Sequence, residues 1–166
     1  MISPELLRRY PFSAGLDHEQ IVSLATLGAE LTFQEGHYFF REGEGVTHFY
    51  LAVDGAVGIV IEVPDASVQQ PVSGQLTGDM QTRDITITTV GSGMVFGWPG
   101  IIPPNKANAT AKALTDCRVY AFECEGLHKA FEEDCVMAYN ITLKAAQIIR
   151  DRLRDMQIES LSFLTS

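Results

Sequence analysis

Val95-Phe-Gly-Trp-Pro-Gly-Ile-Ile-Pro-Pro-Asn-Lys-Ala-Asn-Ala-Thr-Ala-Lys-Ala113 decides the reading of this chain. A short apolar strand, Met94 to Phe96, ends at Gly97. A helix start follows, where Pro99 is tolerated because its missing N–H has no intrahelical partner. After a small loop, Ala109-Thr110-Ala111 enters a further strand that runs to Leu114. The polar inventory of the stretch is thin. Trp98 offers one indole donor and a large apolar face, and Ala107 offers only its backbone. Lys106 is the nearest cation, a point charge without the planar fork of arginine.

On either side, short strands alternate with glycine-containing turns. Upstream, Leu31 to Gln34 and Tyr38 to Arg41 are separated by Glu35-Gly36, and His48 to Val53 meets Ala56 to Val63 across Asp54-Gly55, a two-residue hairpin signal. Asp84 to Val90 alternates as a half-buried strand, and Arg118 to Phe122 closes the series. About eight short strands is the count of a jelly roll. Residues 64–83 are polar with interspersed proline and glycine and read as a mobile hairpin excursion, with a partner-binding loop as the alternative.

Helical spacing frames the strands. Ser3 to Arg9 and Asp17 to Leu27 precede them, with Asp17 as N-cap. Glu125 to Glu132 follows, and Val136 to Phe163 is the clearest helix in the chain. The predicted fold class is mainly β with flanking helices: a double-stranded β-helix (jelly-roll) barrel with N-terminal helices over residues 1–140, then a C-terminal dimerisation or hinge helix over 141–166.

Composition narrows the function classes. Of the 166 residues 46% are hydrophobic and 20% charged, as in a globular protein with a sizeable core. With 21 acidic against 12 basic residues the net charge is −9, which repels a phosphate backbone and argues against direct nucleic-acid binding. No apolar run approaches the roughly 20 residues that span a bilayer, so no membrane partner is expected. Cys117, Cys124 and Cys135 match no metal-ligand spacing and read as free thiols in a reducing cytoplasm. His18, His37, His48 and His128 fall in different elements, and no nucleophile elbow, P-loop or Rossmann pattern occurs. Neither a metal nor an enzymatic constellation is predicted.

The ordered set Gly36, Gly43, Gly55, Gly93, Phe96-Gly97 and Ala109-Thr110-Ala111 resembles the cyclic-nucleotide-binding domain family, whose phosphate-binding cassette the quoted stretch is similar to. In that family a glutamate follows the cassette glycine and an arginine stands shortly before the Ala-Thr pair. Trp98 and Ala107 occupy those positions here. The resemblance implies a small-molecule-sensing regulatory domain with a nucleotide-type ligand. The substitutions imply that cyclic AMP is not bound in the usual mode, since loss of a charge-paired arginine costs a few kcal/mol. Candidate ligand-binding residues are Phe96, Gly97, Trp98, Gly100, Ile101, Lys106, Asn108, Ala109 and Thr110. Trp98 is open to two readings: it stacks on a planar ligand, or it plugs an empty pocket in a ligand-free interaction module. Lys106 is likewise a phosphate contact or a solvated loop residue.

The resemblance further implies that the C-terminal helix pairs with its copy in a homodimer and responds to pocket occupancy. Ala146, Ile149, Leu153, Met156, Ser160 and Phe163 recur at spacings of 3 and 4 and form the expected seam, with a regulated protein partner beyond it. The catabolite-activator branch continues into a helix-turn-helix that reads DNA. This sequence ends just after the long helix, so no such domain is expected.

Overall fold

The computed structural model describes residues 1–64 and 82–164, with side chains left out at 159 and 162–164. The excursion expected over 64–83 lies almost wholly outside the described residues. α1 (Pro4–Leu7) and a one-turn 3-10 helix (Pro11–Ser13) lead into α2 (His18–Leu27). Asp17 caps α2 reciprocally: its carboxylate accepts from the Gln20 N–H at 2.9 Å, and the Gln20 side-chain oxygen accepts from the Asp17 N–H at 3.1 Å. Ile21 and Leu24 thereby face inward and are buried.

Eight antiparallel strands follow: β1 (Gly28–Phe33), β2 (Tyr38–Phe40), β3 (His48–Asp54), β4 (Val57–Pro64), β5 (Thr82–Val90), β6 (Val95–Phe96), β7 (Thr110–Ala113) and β8 (Cys117–Glu123). They form two four-stranded sheets, ordered β1-β8-β3-β6 and β2-β7-β4-β5. This is the jelly-roll arrangement expected from the sequence, but β3 and β4 do not pair as the hairpin expected at Asp54-Gly55: the turn carries the chain from the first sheet into the second. The centre of the first sheet, β3 and β8, is apolar on both faces because both are covered. On β3, Phe49 and Leu51 join the cluster beneath the helices, while Tyr50 and Ala52 join the cluster between the sheets. On β8, Tyr120 and Phe122 take the helical side, and Val119 and Ala121 the inner side. A strand buried on both faces reads as a continuous apolar run.

The inner cluster pairs small residues with large ones. Ala52, Ala107, Ala109, Ala111, Ala113 and Ala121 leave room for Phe40, Tyr50 and Phe96. Such pairing of small with large side chains is how an interior reaches close packing. After β8 come α3 (Cys124–Glu133) and α4 (Cys135–Leu164). Between them, the Asp134 carboxylate accepts from the N–H groups of Val136 and Met137, both at 2.9 Å, and from the Gln20 side-chain amide at 2.8 Å. One carboxylate therefore starts α4 and ties it to α2. Met137, Ile141 and Ala145 anchor the first half of α4 in the helical cluster.

Candidate functional site

The connection from β6 to β7 is shaped by two close backbone approaches. Gly97 has φ of 80°, and a Cβ there would lie 2.7 Å from the His48 carbonyl oxygen. Only glycine meets both conditions. Trp98–Gly100 then forms a single 3-10 turn. At Gly100 a Cβ would meet the Cys124 sulfur at 2.5 Å and the Val46 carbonyl at 3.0 Å, so α3 and the 41–46 segment press directly on the loop. Asn105, at φ 61°, closes it from inside, its amide donating to the carbonyls of Gly100 (2.9 Å) and Pro99 (3.2 Å).

Segment 41–46 takes up the remaining polar groups. The Ala107 N–H donates to the Glu44 carbonyl, and the Gly43 N–H to the Ala107 carbonyl, both at 2.8 Å. The Thr110 hydroxyl accepts from the Glu42 N–H at 3.0 Å. The Ala107 N–H is thus engaged within the protein, and the Thr110 hydroxyl oxygen already accepts a backbone bond.

The nine candidate residues separate into four groups. Phe96, Ala109 and Thr110 are buried, the first two in the cluster between the sheets. Trp98 and Ile101 lie on the opposite side: Ile101 belongs to the cluster beneath the helices, and the half-buried Trp98 packs against it. Gly97 and Gly100 shape the backbone, while Lys106 and Asn108 are exposed. After the left-handed turn at Gly97 the chain emerges on the helical side, so the indole does not enter the space between the sheets.

Other rings fill that space. Phe96 stacks on Tyr50 at 4.8 Å between centroids and meets Phe39 edge-on at 5.0 Å. Phe39 and Tyr50 contact each other at 5.2 Å. The run continues outward through His37 and Phe33, stacked at 4.2 Å, and through His48 on Tyr50 at 5.9 Å. The sequence signal for Tyr50 was its position two residues from His48 on one strand, hence on the same face. Contact with Phe96 requires the cross-strand register Tyr50↔Phe96, which spacing alone does not disclose.

Electrostatically this compartment is quiet. Burial, with a smaller contribution from Cys124, pushes the Tyr50 phenol up to about 12. Burial and then Glu123 push the Cys124 thiol up to about 12. Both stay neutral near pH 7. Outside the loop, a cavity of about 540 Å³ opens between Asn105, Gly100 and α3. Its border carries Glu123, Glu125 and Glu132 against a single Lys129 and so disfavours anions. Among the described residues no group of three or more His, Cys, Asp or Glu is placed to hold a metal ion. No helix among them is long and apolar enough to cross a membrane.

One polar side chain escaped sequence reasoning. Arg152 of α4 lies against β5, its Nη2 fully buried and without a hydrogen-bond partner among the described residues. The signal was present: Met137, Ile141, Ala145 and Ile148 mark the inward stripe of α4, and Arg152 is the next position on it.

A family model for the cyclic nucleotide-binding domain matches residues 30–134. Comparison with curated proteins gives no match. Among solved structures, a protein from Geobacter metallireducens assigned to cyclic nucleotide binding is 25% identical, with a TM-score of 0.72 over 92% of this chain and 99% of that one. A cyclic nucleotide-binding domain from Methylobacillus flagellatus has the same TM-score at 14% identity, covering 95% of this chain and 80% of its own. A cyclic-di-GMP-responsive global regulator from Xanthomonas campestris aligns at TM-score 0.66 and 19% identity over 87% of this chain and 63% of that one. The glycine-framed loop, the two-sheet fold and the match over residues 30–134 converge: the chain belongs to the cyclic nucleotide-binding domain family.

Proposed function

We propose that the protein is a non-enzymatic, small-molecule-sensing regulatory domain that does not take cyclic AMP in the usual cassette mode. The observation that carries this reading is the double role of α4. Its first half is anchored in the core, and Arg152 and Met156 further along close over β5. Its outer face is exposed and apolar, with Val136 62%, Tyr139 66% and Leu153 56% accessible. A ligand seated beneath such a helix shifts its position only through differential affinity for two arrangements, and an outward apolar face transmits the shift to a partner. The partner is a second copy of the chain. Of the expected seam, Ala146, Leu153, Met156 and Ser160 are exposed and Ile149 is half-buried, while the Phe163 side chain lies outside the described residues.

The cassette argues against the usual mode. Trp98 and Ala107 bring no ion-pairing group, Lys106 faces solvent, and the Ala107 N–H is engaged by the Glu44 carbonyl. A cyclic-di-GMP-responsive relative with this fold supports a different nucleotide as ligand. The ring-filled interior favours a second reading, an interaction module without a ligand. Thermal unfolding against a panel of cyclic mono- and dinucleotides separates them. A rise with at least one nucleotide, together with a change in dimerisation, is expected. A panel that leaves both unchanged contradicts sensing and leaves the interaction module.

A further inference from the structure

Arg152 presents the single buried side-chain nitrogen or oxygen that lacks a hydrogen-bond partner among the described residues. With Ile87, Thr88, Asp155 and Met156 it encloses a cavity of about 50 Å³ between α4 and β5. The sheet is irregular directly beneath it. Ile59 pairs with Thr88 and Val60 with Thr86, so Ile87 is the extra residue of a β-bulge. Bulges re-aim side chains and recur beside functional sites. Ile87 packs against the cluster between the sheets, which places the cavity at the edge of that cluster.

A guanidinium keeps its charge at any physiological pH, even though burial lowers its pKa. A buried charged donor with no acceptor on the protein draws one from whatever occupies the cavity. Asp155 lines the same cavity one turn along α4, yet leaves Arg152 Nη2 unsatisfied. A water needs about 10–15 Å³ of such space, so the cavity has room for a group of a few heavy atoms.

We propose that Arg152 and Asp155 form a recognition site for a phosphorylated small molecule bearing a free hydroxyl. Arg152 takes the phosphate oxygens, which its planar fork matches in paired hydrogen bonds. Asp155 accepts from the neighbouring hydroxyl. These are the two functional groups that Trp98 and Ala107 fail to supply, carried here on the helix instead of the loop. The cavity admits only the anionic group, and the rest of the ligand lies along the exposed Asp155. The inference rests on the reading of the chain as a ligand-sensing domain and names the side chains through which sensing runs.

The test is calorimetric titration of the full chain with inorganic phosphate and with cyclic AMP, in the wild type and in Arg152→Ala, Arg152→Lys, Asp155→Asn and Lys106→Ala. Melting temperatures without ligand report folding, and Arg152→Ala should melt no lower than the wild type because it removes an unsatisfied buried charge. The wild type should bind both probes. Arg152→Ala should weaken both by about tenfold or more, with Arg152→Lys intermediate. Asp155→Asn should weaken cyclic AMP and spare phosphate, and Lys106→Ala should change neither. A wild type that binds no phosphate, or an Arg152→Ala variant that binds as well as the wild type, overturns the site. Cyclic AMP binding that survives Arg152→Ala but fails in Lys106→Ala overturns it while leaving ligand sensing intact. Phosphate binding at Arg152 without any change in dimerisation upholds the site and contradicts the sensing role.

Discussion

Gly97 and Phe96 stand next to each other and do opposite work, one by lacking a side chain and the other by burying one completely. Gly97→Ala forces a Cβ toward the His48 carbonyl at positive φ, and should cost about 1–3 kcal/mol in urea denaturation. Phe96→Ala empties the centre of the ring cluster and should cost about 3–5 kcal/mol. Trp98→Ala, at a half-buried site on the helical side, should cost only about 1–2 kcal/mol. If the Trp98 variant proved the more damaging, the indole and not Phe96 would be the plug. The thiols give a second test. Cys135 is exposed while Cys117 and Cys124 are buried, so a thiol reagent at pH 8 should label Cys135 rapidly and the other two only on unfolding. The Cys124 thiol is held neutral by burial. Its contribution to stability is complete below its ordinary value of 9.0 and is lost as pH rises toward about 12.

At the scale of elements, local chemistry made most of the fold legible. Asp17 as N-cap announced α2, and the alternation over 84–90 most of β5, whereas Asp54-Gly55 marked a turn but not its outcome, because β3 and β4 pair in different sheets. What stayed hidden depends on register between elements distant in sequence. The contact of Phe96 with Tyr50 needs β6 beside β3, and the orphan Arg152 needs α4 laid over the bulge at Ile87. Trp98 drew attention by size and family position, yet the turn at Gly97 sends it away from the interior. Asp134 joins two elements and carries its own prediction. The Met137 N–H, then the Gln20 amide and the Val136 N–H, hold its carboxyl below the ordinary value of 3.8. A depressed carboxylate stabilises the fold above that value and loses the contribution as pH falls through the folded pKa. Asp134→Ala should therefore lower the melting temperature at pH 7, and the gap from the wild type should narrow below pH 3.8.

At the scale of the whole molecule, the family scaffold is intact and its centre has been rebuilt. Between the sheets, rings occupy the space, and residues 42–46 pair with Asn105, Ala107 and Thr110 of the loop. On the outside, α4 presents its apolar face. Leu153→Glu on that exposed face should convert a dimer to monomer in sedimentation velocity while leaving the melting temperature of the barrel within about 0.5 kcal/mol of the wild type in stability. A monomeric wild type at tens of micromolar would remove the helix pairing from the account. The measurement that bears most directly on the central claim is hydrogen exchange of the wild type with and without millimolar cyclic AMP, followed peptide by peptide. The account predicts unchanged exchange across residues 95–113, with any protection confined to β5 and α4. Slowed exchange within 95–113 would contradict it, by showing that the rebuilt loop still holds the nucleotide in the usual mode.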